Sequence, residues 1–242
     1  SLLPSPMLFG SAIAARTQRV RIGLAVQVLP LCNPLRVAEE ANMLDQISQG
    51  RFDLGVGRSG ITKFYDGYNI PYEESHERFN ESLEILLKVF TNEPFSYEGK
   101  FWSYQDVAIW PRPLQQPHPP VRVPVTSSQE TIEWAARENV SINPGGLSPS
   151  VSQDIIRYYG QCLKKHGYEI TTDHITVASS VHLADSREKA IEEAAPYTLY
   201  FNRTLFSHGN IPQRNLQHQA GYTPGEARGP CPRLPTLMSR QP

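Results

Sequence analysis

Two short stretches of this chain carry residue types that could hold an anion. The first is Gly55-Val56-Gly57-Arg58-Ser59-Gly60, where glycines flank a guanidinium. A GxGxxG pattern invites a dinucleotide-binding interpretation, which requires a helix after the glycines and an acidic residue ending a second strand about 20 residues on. Ile61 to Tyr72 reads instead as loop, and Glu81 lies within a helical pattern. The better interpretation puts glycine at a strand end, where backbone approaches a ligand closely, and gives Arg58 a bidentate grip on phosphate. A purely structural Arg58, paired with a carboxylate, is the competing one. The second stretch is Ser127-Ser128-Gln129-Glu130-Thr131. Free N–H groups and the dipole at a helix start favour an anion, and three hydroxyls add donors. Capping needs only one of them, so plain capping stands as the alternative.

The elements that must position these residues follow from pattern. Arg19 to Leu29 is a nearly continuous apolar, β-branched run, as expected of a strand buried on both faces in a parallel sheet. Asn33 offers an N-cap and Pro34 suits the first helical position. Leu35, Ala38, Ala41, Leu44 and Ile47 then recur at helical spacing, with Glu39, Glu40 and Asp45 expected to face outward and Gly50 to stop the helix. Arg51 to Val56 is the second strand. A crossover of this kind is right-handed, so the loops after both strands open on one edge of the sheet, where ligands bind.

Before this unit, Ser5-Pro6 predicts a capped helix; after it, Ile61 to Pro71 reads as a loop and Ser75 to Phe90 as a helix with Phe79, Leu83, Leu86 and Phe90 inward. A small hairpin is expected within the aromatic and proline-rich segment from Thr91 to Pro120. Val121 to Thr126 is a strand, followed by a helix that the Ser127 to Glu130 spacing marks with a capping box. A weak strand at Val140 to Asn143, a helix from Ser148-Pro149 to Gly167, a strand from His174 to Leu183 and a helix capped by Asp185 and Glu188 complete the pattern. Prolines interrupt everything beyond about Asn210, which predicts disorder.

Composition excludes several classes. The chain has 242 residues, 39% of them hydrophobic, and a formal net charge of −1, so one core is expected and no basic excess points to nucleic acid or an anionic membrane. Three widely spaced cysteines and seven histidines without ligand spacing give no metal site and no disulfide framework. No GxSxG elbow is present. A cytoplasmic setting is the simplest expectation.

The segment RIGLAVQVLPLCNPLRVAEEANMLDQISQGRFDLGVGRS, continued by RFNESLEILLKVFTNEPFSYEGKFW, PRPLQQPHPPVRV and TIEWAA, resembles the signature of luciferase-like flavin-dependent monooxygenases. That resemblance covers roughly Ser5 to Phe206. It implies a TIM-type (β/α)8 barrel, here without its first two strands and its last, occupying residues 1–210 ahead of a proline-rich tail at 211–242. It implies an enzyme that uses reduced FMN, supplied by a partner flavin reductase or NAD(P)H, and O2 to oxidise a small organic substrate. A deazaflavin-dependent reductase or dehydrogenase of the same superfamily, and an inactive or merely flavin-binding fragment, are the alternatives.

Residue by residue, the resemblance places the flavin phosphate at Arg58, Ser128 and Thr131, with Ser127 where luciferase has an acidic residue and Arg78 as a second cation. It places a non-proline cis peptide at Ala25-Val26 against the flavin ring. Gly57 stands where luciferase has a reactive cysteine, which disfavours luciferase activity as such. The family's assisting histidine belongs to a strand expected to be absent, so no catalytic residue is named. A homodimer is implied for the intact family member, and edges left by absent strands predict that the isolated chain aggregates or binds flavin poorly.

Overall fold

A computed structural model describes residues 5–91, 94–126, 128–144, 149–177 and 181–206. Its first helix, α1 (Pro6–Ala14), opens with proline in the first turn, yet the Ser5 side chain makes no capping hydrogen bond, contrary to the expected cap. The expected strand from Arg19 to Leu29 is two short segments, β1 (Ile22–Gly23) and β2 (Gln27–Val28). Both pair in parallel with β3 (Phe52–Gly57), through Ile22 with Phe52 and Gln27 with Val56. The Leu24 N–H still donates to the Asp53 oxygen of β3, the chain leaves the ladder after it, and the Ala25-Val26 peptide is cis.

Helix α2 (Pro34–Ser48) starts as its sequence demands: Asn33 Oδ1 accepts from the N–H groups of Leu35 and Arg36, and proline occupies the first turn. It ends with Gln49 and Gly50 at positive φ. Its buried face differs from the expected one. Ile47 is 43% exposed, whereas Asp45 is fully buried. The Asp45 carboxylate accepts from the backbone N–H groups of Leu114 and Gln115 and from Gln115 Nε2, at 2.7 to 2.8 Å. A buried charge is tolerated when hydrogen bonds satisfy it, and here a loop some 70 residues away does so.

The region expected as a loop contains α3 (Thr62–Asp66) and a 3-10 turn at Tyr72–Glu74. Helix α4 (Ser75–Thr91) buries Phe79, Leu83, Leu86 and Phe90 as its stripe requires. The hairpin is present as β4 (Phe95–Glu98) antiparallel to β5 (Ser103–Val107). It is held to α4 by Glu81, whose carboxylate accepts from the N–H groups of Lys100, Phe101 and Trp102.

Strand β6 (Val121–Pro124) lies parallel to β3, and β7 (Ser141–Asn143) parallel to β6, with α5 (Gln129–Arg137) and α6 (Pro149–Lys165) as the crossing and following helices. Among the described residues the ladder runs β1, β3, β6, β7, with β2 also on β3, and does not return on itself. Phe52, Leu54, Val56, Val121, Val123 and Ile142 are buried on one face of this sheet and belong to the main apolar cluster with α2 and α4. The other face carries Asp53, Gly55 and Gly57 of β3, then Arg122 and Pro124 of β6, then Ser141 and Asn143 of β7, by the alternation and register of the strands.

The strand expected from His174 to Leu183 is absent among the described residues. A 3-10 turn covers Thr172–His174, one parallel bridge joins Ile175 to Ile142, and Val181 and Leu183 are 77% and 87% exposed. The His174 ring folds back on its own turn, accepting from the Thr171 N–H through Nδ1, which takes this stretch out of extended geometry.

The chain divides into two compact units, residues 1–59 with 64–179 and residues 60–63 with 180–242. The second contains α7 (Arg187–Phe206), whose start is capped by Ser186 accepting from the Lys189 N–H, while Asp185 pairs with Lys189. The expected Asp185 and Glu188 cap is therefore displaced by one residue. The tail at 211–242 lies outside the described residues. No described helix is long and apolar enough to cross a membrane, and no described group of histidine, cysteine and carboxylates could hold a metal ion.

Candidate functional site

The alternate glycines of β3 explain how the Ala25-Val26 peptide sits where it does. A Cβ at Gly55 would overlap the Leu24 carbonyl oxygen, and one at Gly57 would stand 2.7 Å from Val26 Cγ2 and 3.3 Å from Pro124 Cγ. Only hydrogen at these positions lets Leu24 to Val26 press onto the face of β3. The space that Gly57 leaves is thus filled by Val26, and the cis peptide lies at the C-terminal end of the sheet's Gly55 and Gly57 face.

Arg58 follows β3 directly at that edge. Its Nη1 donates to the Tyr72 hydroxyl at 3.1 Å and to Ser75 Oγ at 3.0 Å, and the guanidinium carbon lies 5.5 Å from the Tyr72 ring centroid. All of its described hydrogen-bond partners are neutral hydroxyls, with no carboxylate among them. Among the described residues Arg58 therefore makes no carboxylate pair, the alternative that its sequence context leaves open. Tyr65 completes the cluster: fully buried, it donates its hydroxyl to the Arg58 carbonyl oxygen and packs edge-on against Tyr72 at 5.1 Å. Burial pushes the Tyr65 phenol up to about 12, against the opposing pull of the Arg58 charge, so it remains a neutral donor.

Ser128 and Thr131 come together, but on each other. Ser128 is the N-cap of α5 and its Oγ accepts from the Thr131 N–H at 3.2 Å and from Thr131 Oγ1 at 3.0 Å. The expected capping box beginning at Ser127 is therefore replaced by a cap one residue later, with a hydroxyl rather than Glu130 three positions on. Ser127 lies outside the described residues. Chemistry leaves Ser128 one hydroxyl proton to donate. Because β3 and β6 are parallel neighbours, Arg58 and Ser128 follow strands that end on the same edge.

Arg78 is committed elsewhere. Its Nε and Nη2 both bond Glu74 Oε2 at 2.8 Å, and its guanidinium carbon lies 4.2 Å from the Phe101 ring centroid. The Tyr72–Glu74 turn thus serves both cations, giving Tyr72 to Arg58 and Glu74 to Arg78. Neither Tyr65, Tyr72 nor Ser75 stands out in the sequence as a functional residue, since nothing about their spacing marks them as partners of Arg58. Asn143 likewise carries no sequence signal beyond being a polar side chain at the end of a short strand.

A family model described as luciferase-like monooxygenase matches residues 1–234. The oxygenase component of the flavin-dependent trigonelline monooxygenase of Acinetobacter baylyi is 26% identical over 206 residues, covering 84% of this chain and 56% of that protein. The crystal structure of monooxygenase RslO1 from Streptomyces bottropensis matches with a TM-score of 0.80 and 29% identity, over 88% of this chain and 66% of that one. A type II Baeyer-Villiger monooxygenase from Pseudomonas putida, the oxygenating constituent of 3,6-diketocamphane monooxygenase in complex with FMN, shares the fold at a TM-score of 0.71 and 23% identity, over 84% of this chain and 60% of that one. This chain spans no more than about two thirds of the length of any of these three.

Proposed function

This chain belongs to the luciferase-like monooxygenase family, and from that premise we propose that it is part of a (β/α)8-barrel flavoprotein monooxygenase that holds FMN at the C-terminal edge of its parallel sheet. The single observation that carries this is Arg58, a guanidinium at a strand end whose described partners are hydroxyls alone, one residue after the Gly57 on which Val26 packs. A cation oriented by neutral groups keeps its charge for an anion, and phosphate matches the planar fork. Ser128 contributes a hydroxyl, and the start of α5 a favourable dipole.

The residues present fit the group on two further counts. Val26 and Pro124 give an apolar surface for a flat ring, and the Asn143 Oδ1 atom of the same face is buried without a hydrogen-bond partner among the described residues. Reduced FMN, when bound, supplies the two-electron activation of O2 from which one oxygen atom passes to a small organic substrate. The chain's own residues bind and orient: Arg58 neutralises phosphate, Tyr65 and Tyr72 hold Arg58 in place, and the apolar face keeps water from the ring. The oxygenase-component relative supports a separate flavin reductase as partner, and the family resemblance supports a homodimer for the intact protein.

Equilibrium titration tests the proposal. The 242-residue chain, titrated to high flavin concentration because its unpaired edges are expected to weaken flavin binding overall, with FMN, riboflavin and a deazaflavin coenzyme and followed by flavin and tryptophan fluorescence, is expected to bind FMN at least tenfold more tightly than riboflavin. With a flavin reductase and NADH, candidate substrates should then consume O2 in step with product. Equal affinity for FMN and riboflavin would remove the phosphate assignment. Preference for the deazaflavin, with hydride transfer and no O2 uptake, would move the protein to the reductase class.

A further inference from the structure

The register of the sheet places Gly57, Pro124 and Asn143 side by side at its C-terminal end, and Val26 packs onto this row. Val26 lies on Gly57, Gly57 lies next to Pro124, and Pro124 is the ladder partner of Asn143. The neighbouring Ile142 is fully buried on the opposite face, so alternation directs Asn143 to the face of Gly57 and Pro124. Val26, Gly57 and Pro124 are apolar or lack a side chain. Asn143 is the polar one.

Its carboxamide is unusual for a strand residue. The Asn143 backbone oxygen accepts from the Val125 N–H at 3.0 Å, as a parallel ladder requires, but Oδ1 is buried with no hydrogen-bond partner among the described residues. Among the described residues three other buried polar atoms lack partners, and each belongs to a side chain already anchored: Gln27 donates to Cys32 Sγ, Asn42 to the Pro111 oxygen and Arg122 to the Asp173 oxygen. No hydrogen bond anchors the Asn143 side chain among the described residues. Leaving a buried acceptor unmade costs about 1 to 3 kcal/mol, so such a group persists where something completes it.

We propose that the Asn143 carboxamide is the hydrogen-bonding anchor for the pyrimidine half of the flavin ring. This rests on the FMN-binding proposal above. That half presents an N3–H donor between two carbonyl acceptors. A carboxamide, with one acceptor and one N–H2 donor in a plane, is complementary to such an edge in the way that asparagine pairs with an adenine edge. The other end of the molecule is fixed by Arg58. Two anchors, one charged and one neutral, set the ring's direction on the face made by Val26, Gly57 and Pro124.

The test modifies the ligand as well as the protein. Wild-type chain is titrated with FMN and with 3-methyl-FMN, which lacks the N3–H; about tenfold weaker binding of the methylated flavin is expected. N143L and N143A should bind FMN about tenfold more weakly than wild type and discriminate less than twofold between the two flavins. Because Leu removes an unpaired buried acceptor, N143L without flavin should melt no lower than wild type, and circular dichroism verifies its fold. If wild-type binds FMN yet treats both flavins alike, the Asn143 assignment is overturned while FMN binding stands. If N143L and wild type show the same preference for FMN over 3-methyl-FMN, it is overturned as well. Absence of FMN binding by wild type would instead overturn the underlying functional proposal, and this assignment with it.

Discussion

The ends of β3 and β6 follow neighbouring parallel strands onto one edge, yet they spend their polar groups differently. At β3, Arg58 is braced by Tyr72, Ser75 and Tyr65 and bonds no carboxylate among the described residues. At β6, Ser128 and Thr131 bond each other, and the Ser128 oxygen already accepts twice. Residue types mark both stretches as possible anion sites. Geometry separates them, because Thr131 already donates to Ser128, whereas Arg58 keeps its full charge beside neutral partners. The β3 end is organised around what it leaves open, and the β6 end around closing its own helix.

The strongest way to break this contrast is to destroy the β3 face. Gly55→Ala would drive a methyl group into the Leu24 carbonyl, which is backbone and cannot turn aside. We expect loss of more than about 3 kcal/mol of stability, or no soluble protein, in urea unfolding. A G55A chain with wild-type stability would mean that Leu24 to Val26 does not press on β3.

Arg58→Ala removes the charge and leaves the fold. FMN affinity should fall about 30-fold to 100-fold while riboflavin affinity changes little, as for a charge-assisted hydrogen bond to phosphate. Ser128→Ala should move FMN affinity by less than about threefold while lowering stability by about 1 kcal/mol, the usual worth of an N-cap. The ratio of the two effects measures the contrast directly, and an S128A loss as large as that of R58A would abolish it.

Tyr65→Phe sharpens the same comparison through pH. The folded phenol titrates at about 12, above its ordinary value of 10. Stability from the neutral hydroxyl is therefore complete below pH 10 and is lost as pH rises toward 12. Y65F should be destabilised by about 1 kcal/mol at neutral pH, from the unmade bond to the Arg58 carbonyl, and should lack this residue's share of the alkaline decline. Thermal melts between pH 8 and 11.5 would show whether the two curves approach each other as the pH rises. Smallest of all, Arg78→Ala should alter FMN affinity less than about twofold, since Glu74 and Phe101 already hold that guanidinium. A tenfold loss would return Arg78 to the phosphate site.

Much of this architecture is legible locally. Asn33 and Pro34 start α2, the stripe of Phe79, Leu83, Leu86 and Phe90 orients α4, and the parallel pairing of β1 and β2 with β3 follows from a strand, helix and strand in order. Capping and amphipathic periodicity act within one or two helical turns, so the sequence carries them whole. Where local rules left near-equal choices, placement moved by a residue, as when Ser128 rather than Ser127 became the cap of α5 and Ser186 rather than Asp185 that of α7.

Contacts between distant segments decided the rest. Asp45 is a solvent residue by pattern and a core residue in fact because Leu114 and Gln115 bring it backbone donors. The single strand expected from Arg19 to Leu29 is divided because Gly55 and Gly57, some 30 residues on, leave room for Leu24 to Val26 to turn inward. Arg58 was visible as a cation at a strand end, but whether it would meet a carboxylate or hydroxyls depended on where the Tyr72 turn packed. Asn143 was one polar residue in a weak strand until the register set it beside Pro124 and left its oxygen without a partner. Sequence determines which groups can cap, bury or donate. Only the packing of remote segments determines which of those capacities are used up and which remain for a ligand, because a hydrogen bond needs its partner within about 3 Å whatever the separation along the chain.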